Sequence, residues 1–154
     1  MELEIKPGVG LGPLLLGSDE HTVRELLGAP SQASDTKHSD GDVSHDLGYV
    51  DLSLSLSFSE SDGFLLGSIS TSNESSLFRG FNIVGMNESQ LILCDFDGMG
   101  PPALDDDFEE SGRDYWWDAL NLSCWVLDGV VTSVTLIPSF DETGNTPLWP
   151  SAQS

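Results

Sequence analysis

Positive charge is scarce in this chain. Five basic residues (Lys6, Arg24, Lys37, Arg79, Arg113) stand against 26 Asp and Glu, for a formal charge of −21 over 154 residues. That scarcity argues against nucleic acid as a partner, because a phosphate backbone is held by neutralising it with Lys and Arg. It argues against anionic membranes for the same reason. Cysteine is nearly absent too: Cys94 and Cys124 are the only two, too few for a disulfide scaffold. No run approaches the ~20 apolar residues that a membrane span needs. The start, Met1-Glu2-Leu3-Glu4, is acidic and lacks the apolar stretch of a secretory signal. Together these absences lead to the expectation of a cytoplasmic protein in a reducing setting.

Catalytic motifs are equally sparse. His21, His38 and His45 are spaced by 17 and 7 residues, with no helix to make the last two converge as zinc requires. There is no Gly-x-Ser-x-Gly elbow. Gly10-Leu11-Gly12-Pro13 lacks the Lys-Ser/Thr that completes a phosphate loop. The run Asp105-Asp106-Asp107-Phe108-Glu109-Glu110 lacks the alternate ligand spacing and turn glycine of a calcium loop. No enzyme, metal or cofactor is expected from these residues.

What the chain does contain is an internal echo at an offset of 68 residues. Val23, Leu26 and Leu27 fall at helical spacing within Glu20–Leu27. Ser18 or Asp19 can cap that helix, and Gly28 and Pro30 end it. Adding 68 places Gly17 on Gly85, Asp19 on Asn87, Glu20 on Glu88 and Val23 on Leu91. Further along, Leu52, Leu54, Leu56 and Phe58 alternate with serines, the mark of a half-buried strand. Their counterparts are Leu120, Leu122, Cys124 and Val126. Each strand then meets an Asp-Gly pair, Asp62-Gly63 or Asp128-Gly129, a strong hairpin signal. Return strands are expected at Phe64–Ser70 and Val130–Ile137. The polar stretches Ser31–Asp46 and Gly98–Asp114 are expected to be irregular.

The predicted fold class is therefore α+β: two tandem helix-plus-antiparallel-hairpin repeats, with the helices on one face of an antiparallel sheet. One domain, 1–154, is predicted, with repeats at about 9–70 and 77–138 and an irregular tail at 139–154. The residues Gly10–Pro30, Phe81–Leu93 and the two hairpins resemble small bacterial tandem-repeat proteins. These include the β-lactamase inhibitor protein, outer-membrane assembly lipoproteins and cytoplasmic immunity-type proteins. The resemblance implies a continuous sheet whose open face grips a protein partner. The secretion signal and paired cysteines of the exported members are missing, which favours the cytoplasmic kind.

One local motif points elsewhere. Leu91-Ile92-Leu93-Cys94-Asp95-Phe96-Asp97-Gly98 resembles the opening of haloacid-dehalogenase-type phosphatases, which implies Asp95 as nucleophile and Asp97 as proton donor. That chemistry also needs a downstream Lys, and none follows Lys37. A helix end running into a loop accounts for the same residues.

Strand alternation gives a predicted binding face. If Leu120, Leu122, Cys124 and Val126 point inward, the odd-numbered Tyr115, Trp117 and Trp125 point outward. Tyr and Trp dominate binding hot spots. Asp105, Asp106, Asp107, Glu109, Glu110 and Asp114 lie beside them and would form an acidic rim. The functional expectation is an acidic immunity protein that binds and neutralises a basic toxin, such as a nuclease. The alternatives are a magnesium phosphatase using Asp95 and Asp97, and an assembly protein that pairs through a sheet edge.

Overall fold

The structure is a computed structural model that describes residues 3–94, 100–118, 120–144 and 146–150. In chain order the strands begin with β1 (Ile5–Lys6), β2 (Gly10–Leu11) and β3 (Leu14–Leu15), which form a small antiparallel sheet. Helix α1 (Glu20–Leu27) follows. Next come β4 (Gln32–Lys37), β5 (Val43–Tyr49), β6 (Leu54–Ser59) and β7 (Leu65–Thr71). A short hairpin, β8 (Leu77–Phe78) and β9 (Phe81–Asn82), leads to α2 (Glu88–Leu91). Then follow β10 (Ala103–Asp107), β11 (Arg113–Trp117), β12 (Leu122–Leu127) and β13 (Val130–Leu136). A last pair, β14 (Ser139–Phe140) and β15 (Pro147–Leu148), closes the described chain.

This architecture corrects the α+β expectation. The fold is mostly β, and its α-helices are only two, of eight and four residues, among the described residues. Its centre is one antiparallel sheet of eight strands in the order β10-β11-β12-β13-β7-β6-β5-β4. The building unit is a four-stranded meander, not a helix with a hairpin. β4 and β10 lie in the stretches 31–46 and 98–114 that were expected to be irregular, and β5 and β11 begin within them. The reason is positional. β4 and β10 are the sheet's edges, exposed along their whole length. An edge strand with no buried face shows no apolar alternation to read.

The halves meet at β7 and β13 over three residue pairs, Val134–Thr71, Thr135–Ser70 and Leu136–Ile69. A hydroxyl contact of 2.7 Å between Ser70 and Thr135 spans the junction. Leu54–Ser59 and Leu122–Leu127 hold equivalent places in the two halves. A bulge interrupts each at matching points, between Ser57 and Phe58 and between Trp125 and Val126. Bulges raise local twist, so both halves coil alike.

Local signals explain the elements that were legible. Asp19 caps α1 by accepting from the Thr22 amide at 2.8 Å, and this bond holds its carboxyl below the usual range. Gly28 ends the helix at φ +83. Asp128 and Gly129 both take positive φ, 52° and 78°, as a two-residue hairpin turn demands. Asp62-Gly63 does not repeat that turn: the partners Ser59 and Leu65 leave a five-residue connection.

One face of the sheet carries the core. Leu47, Leu56, Ile69, Leu136, Leu122 and Trp117 run across it as a row of cross-strand partners. Val23 is the one fully buried residue of α1. Most of the cover comes from Leu3, Ile5, Leu11, Leu14 and Leu16 of the N-terminal segment, with Phe78, Ile83 and Val84. The tail packs on this same side, since the Trp149 ring lies against Gly17.

Candidate functional site

The second face of the large sheet lies opposite the hydrophobic core, and the turn around 108–112 covers Trp125 at one end of it. One row of cross-strand partners crosses all eight strands there: Gln32, Gly48, Ser55, Ser70, Thr135, Ser123, Trp116 and Ala103. None of the eight is charged. Ser57, Ser59, Ser68 and Ser133 lie on the same face. An antiparallel sheet tolerates one wet face, and short hydroxyl side chains suit it. The result is a flat polar surface with aromatic groups at one end only.

Register decides which aromatics those are. Tyr115 pairs with Cys124 and Trp117 with Leu122. Cross-strand partners share a face, so odd-numbered residues of β11 sit with even-numbered residues of β12. The numerical alternation flips in the connection 118–121. Tyr115 and Trp117, expected outside, are therefore core residues at 6% and 2% exposure. Tyr49 is buried for the same reason. The Trp117 indole donates to the Gly100 carbonyl at 2.9 Å and meets Phe78 edge-on.

Tyr115 is fixed by its hydroxyl, which donates to Glu88. Burial, and then that bond, push its phenol up to about 12. The same bond, more than the guanidinium of Arg113, holds the Glu88 carboxyl below the usual glutamate range. Arg113 reaches Glu88 at 3.0 Å and Asp107 at 3.3 Å. One acid of the expected rim is thus tied up in a structural ion pair.

The remaining predicted residues divide between the edge and the open face. Trp125 is on the open face and half-buried, with the Phe108 ring at 5.6 Å and Gly112 against its indole. Asp114, its cross-strand partner, accepts from the Ser123 hydroxyl at 2.6 Å. Asp105, Asp106 and Asp107 are exposed on the edge strand β10, and Glu109 and Glu110 on the turn after it. Trp116 is the aromatic that alternation passed over. It is half-buried, with its indole nitrogen 3.4 Å from Asp118. The available signal was the four-residue connection, which reverses parity and ends in a left-handed residue, Asn121 (φ 50), as the connection 50–53 does at Ser53 (φ 53).

No known protein family, curated protein or solved structure matches this chain. Its chemistry has to be read from its own groups. Among the described residues, no cluster of three or more His, Cys, Asp or Glu is arranged to hold a metal ion. Asp95 and Asp97 lie outside the described residues. A cavity of about 870 Å³ is lined by Glu74, Phe81, Asn82, Val84, Gly85, Met86, Gln90 and Cys94. Burial pushes the Cys94 thiol up, away from the ionised form that makes a nucleophile. Cys124 is buried and its thiol is pushed up to about 12, again by burial first. No helix among the described residues is long and apolar enough to cross a membrane.

Proposed function

We propose that this chain is a non-catalytic binding protein that docks a basic protein on the open face of its sheet and neutralises it. The observation that carries this reading is the uncharged row from Gln32 to Ala103, set in a molecule of charge −21. Short side chains let a partner's backbone approach closely. The surrounding acids steer a basic protein toward the surface and raise its association rate. A toxin that acts on nucleic acid fits this field best, because its own cleft is built to attract phosphate. The two free thiols, Cys94 and Cys124, suit a cytoplasmic setting, where thiols stay reduced.

The test uses the product of the neighbouring gene, purified and titrated against this chain by calorimetry, with toxin activity read in parallel. A complex that abolishes activity and associates more slowly as salt rises is the expected outcome. A complex that leaves the activity intact, or no complex at low salt, defeats the proposal.

A further inference from the structure

We infer that the strip between Trp116 and Trp125 is the seat of an arginine side chain of the partner, a refinement that rests on the basic-partner reading above. Three features of the open face converge there. Asp114 of β11 stands directly opposite Asp106 of β10, and like charges facing each other across strands destabilise a sheet. The nearest base in sequence, Arg113, is engaged on the other face by Glu88 and Asp107. A cation from outside relieves this repulsion. Ser123 occupies Oδ1 of Asp114, and among the described residues no donor bonds its Oδ2. Trp116 has only Ala103 and Ser123 beside it in its row, and neither is long enough to cover an indole. Asp118 lies next to the Trp116 nitrogen, on the same side.

The chemistry selects guanidinium over ammonium. A planar guanidinium stacks on an indole while its fork bonds carboxylates, whereas a Lys ammonium is a strongly hydrated point charge. Trp125 is covered by Phe108 and Gly112, so Trp116 supplies the stacking surface and Trp125 bounds the strip. Further along the face Ser55, Ser57, Ser68 and Ser70 offer hydroxyls, and Asp46 opposite Ser57 already accepts from Thr36 and Ser44, with no indole beside it. The anchor is therefore confined to one end of the sheet.

The test is a titration of the isotope-labelled chain with hexa-arginine and with hexa-lysine, following the four Trp indole N–H signals. Hexa-arginine is expected to move the Trp116 signal and to bind about three- to tenfold more tightly than hexa-lysine, as cation–π contacts allow. Trp116→Leu and Asp114→Asn, both checked for native circular dichroism, should each erase that preference. If both peptides bind equally and the Trp116 signal stays still, the arginine seat is wrong while the basic-partner reading stands. If neither peptide binds at low salt, both readings fall together.

Discussion

Trp116 and Trp117 are neighbours in sequence and occupy opposite faces of the sheet, so their alanine variants should behave in opposite ways. Trp117 is 2% exposed, meets the Phe78 ring at 6.0 Å and donates to Gly100. Truncating a core Trp costs about 3–5 kcal/mol. The edge-on ring contact and the lost indole bond to Gly100 place Trp117→Ala at the upper end, about 5 kcal/mol. For a domain of this size that lowers Tm by about 10–20 °C. Trp117→Phe keeps a ring against Phe78 and loses the donor, for about 2 kcal/mol, a variant that stays folded if the parent is marginal. Trp116→Ala leaves no cavity, because its face is open, and should lose about 1 kcal/mol or less. The assay is urea unfolding followed by far-ultraviolet circular dichroism, which does not depend on the lost indole. Equal losses at the two positions, or a loss at Trp117 below about 1.5 kcal/mol, would refute the register argument and with it the location of the site.

Further outcomes follow from the same contacts. Glu88→Gln weakens the tie to Tyr115 and Arg113 and should lower stability by about 1–2 kcal/mol at neutral pH. Because the folded carboxyl titrates below the usual glutamate value, Glu88 adds stability above that value. That stability is lost as pH falls through the lowered one, so urea midpoints of parent and variant should converge in acid. Tyr115 and Cys124 run the other way. Their ordinary values of 10.0 and 9.0 rise to about 12 on folding, so the unfolded chain ionises first. Stability should hold below pH 9 and decline steadily as pH rises toward 12, and Cys124→Val should flatten the early part of that decline in thermal melts. Gly17 has φ +88, and a Cβ there would lie 3.0 Å from Trp149. Gly17→Ala should lose about 1–2 kcal/mol, and less in a Trp149→Ala background, which a double-mutant cycle will show.

How much of this could be read without coordinates depended on the range of the forces involved. Helix α1 was legible because Asp19 and Glu20 act on its first turn and Gly28 on its last, each on backbone a few residues away. The inward set Leu54, Leu56 and Phe58 was legible because strand alternation is a property of consecutive residues. The turn at Asp128-Gly129 was legible because positive φ at both positions selects those residue types. The acidic character of the surface followed from composition alone, since charge needs no fold to be counted.

Other features were settled only by the tertiary structure. β4 and β10 have no buried face, so nothing in their residues distinguishes them from loops; they are strands because β5 and β11 offer backbone partners. The helices stayed minor because the N-terminal residues Leu3 to Leu16 took over most of the cover on the core face. Above all, the outward face of β11 depends on the pairing of Trp117 with Leu122. A shift of that pairing by one residue would exchange every side chain between the faces. The sequence thus determined a strongly acidic chain with alternating strands. Only register decided that Trp116, and not Trp117, meets the solvent.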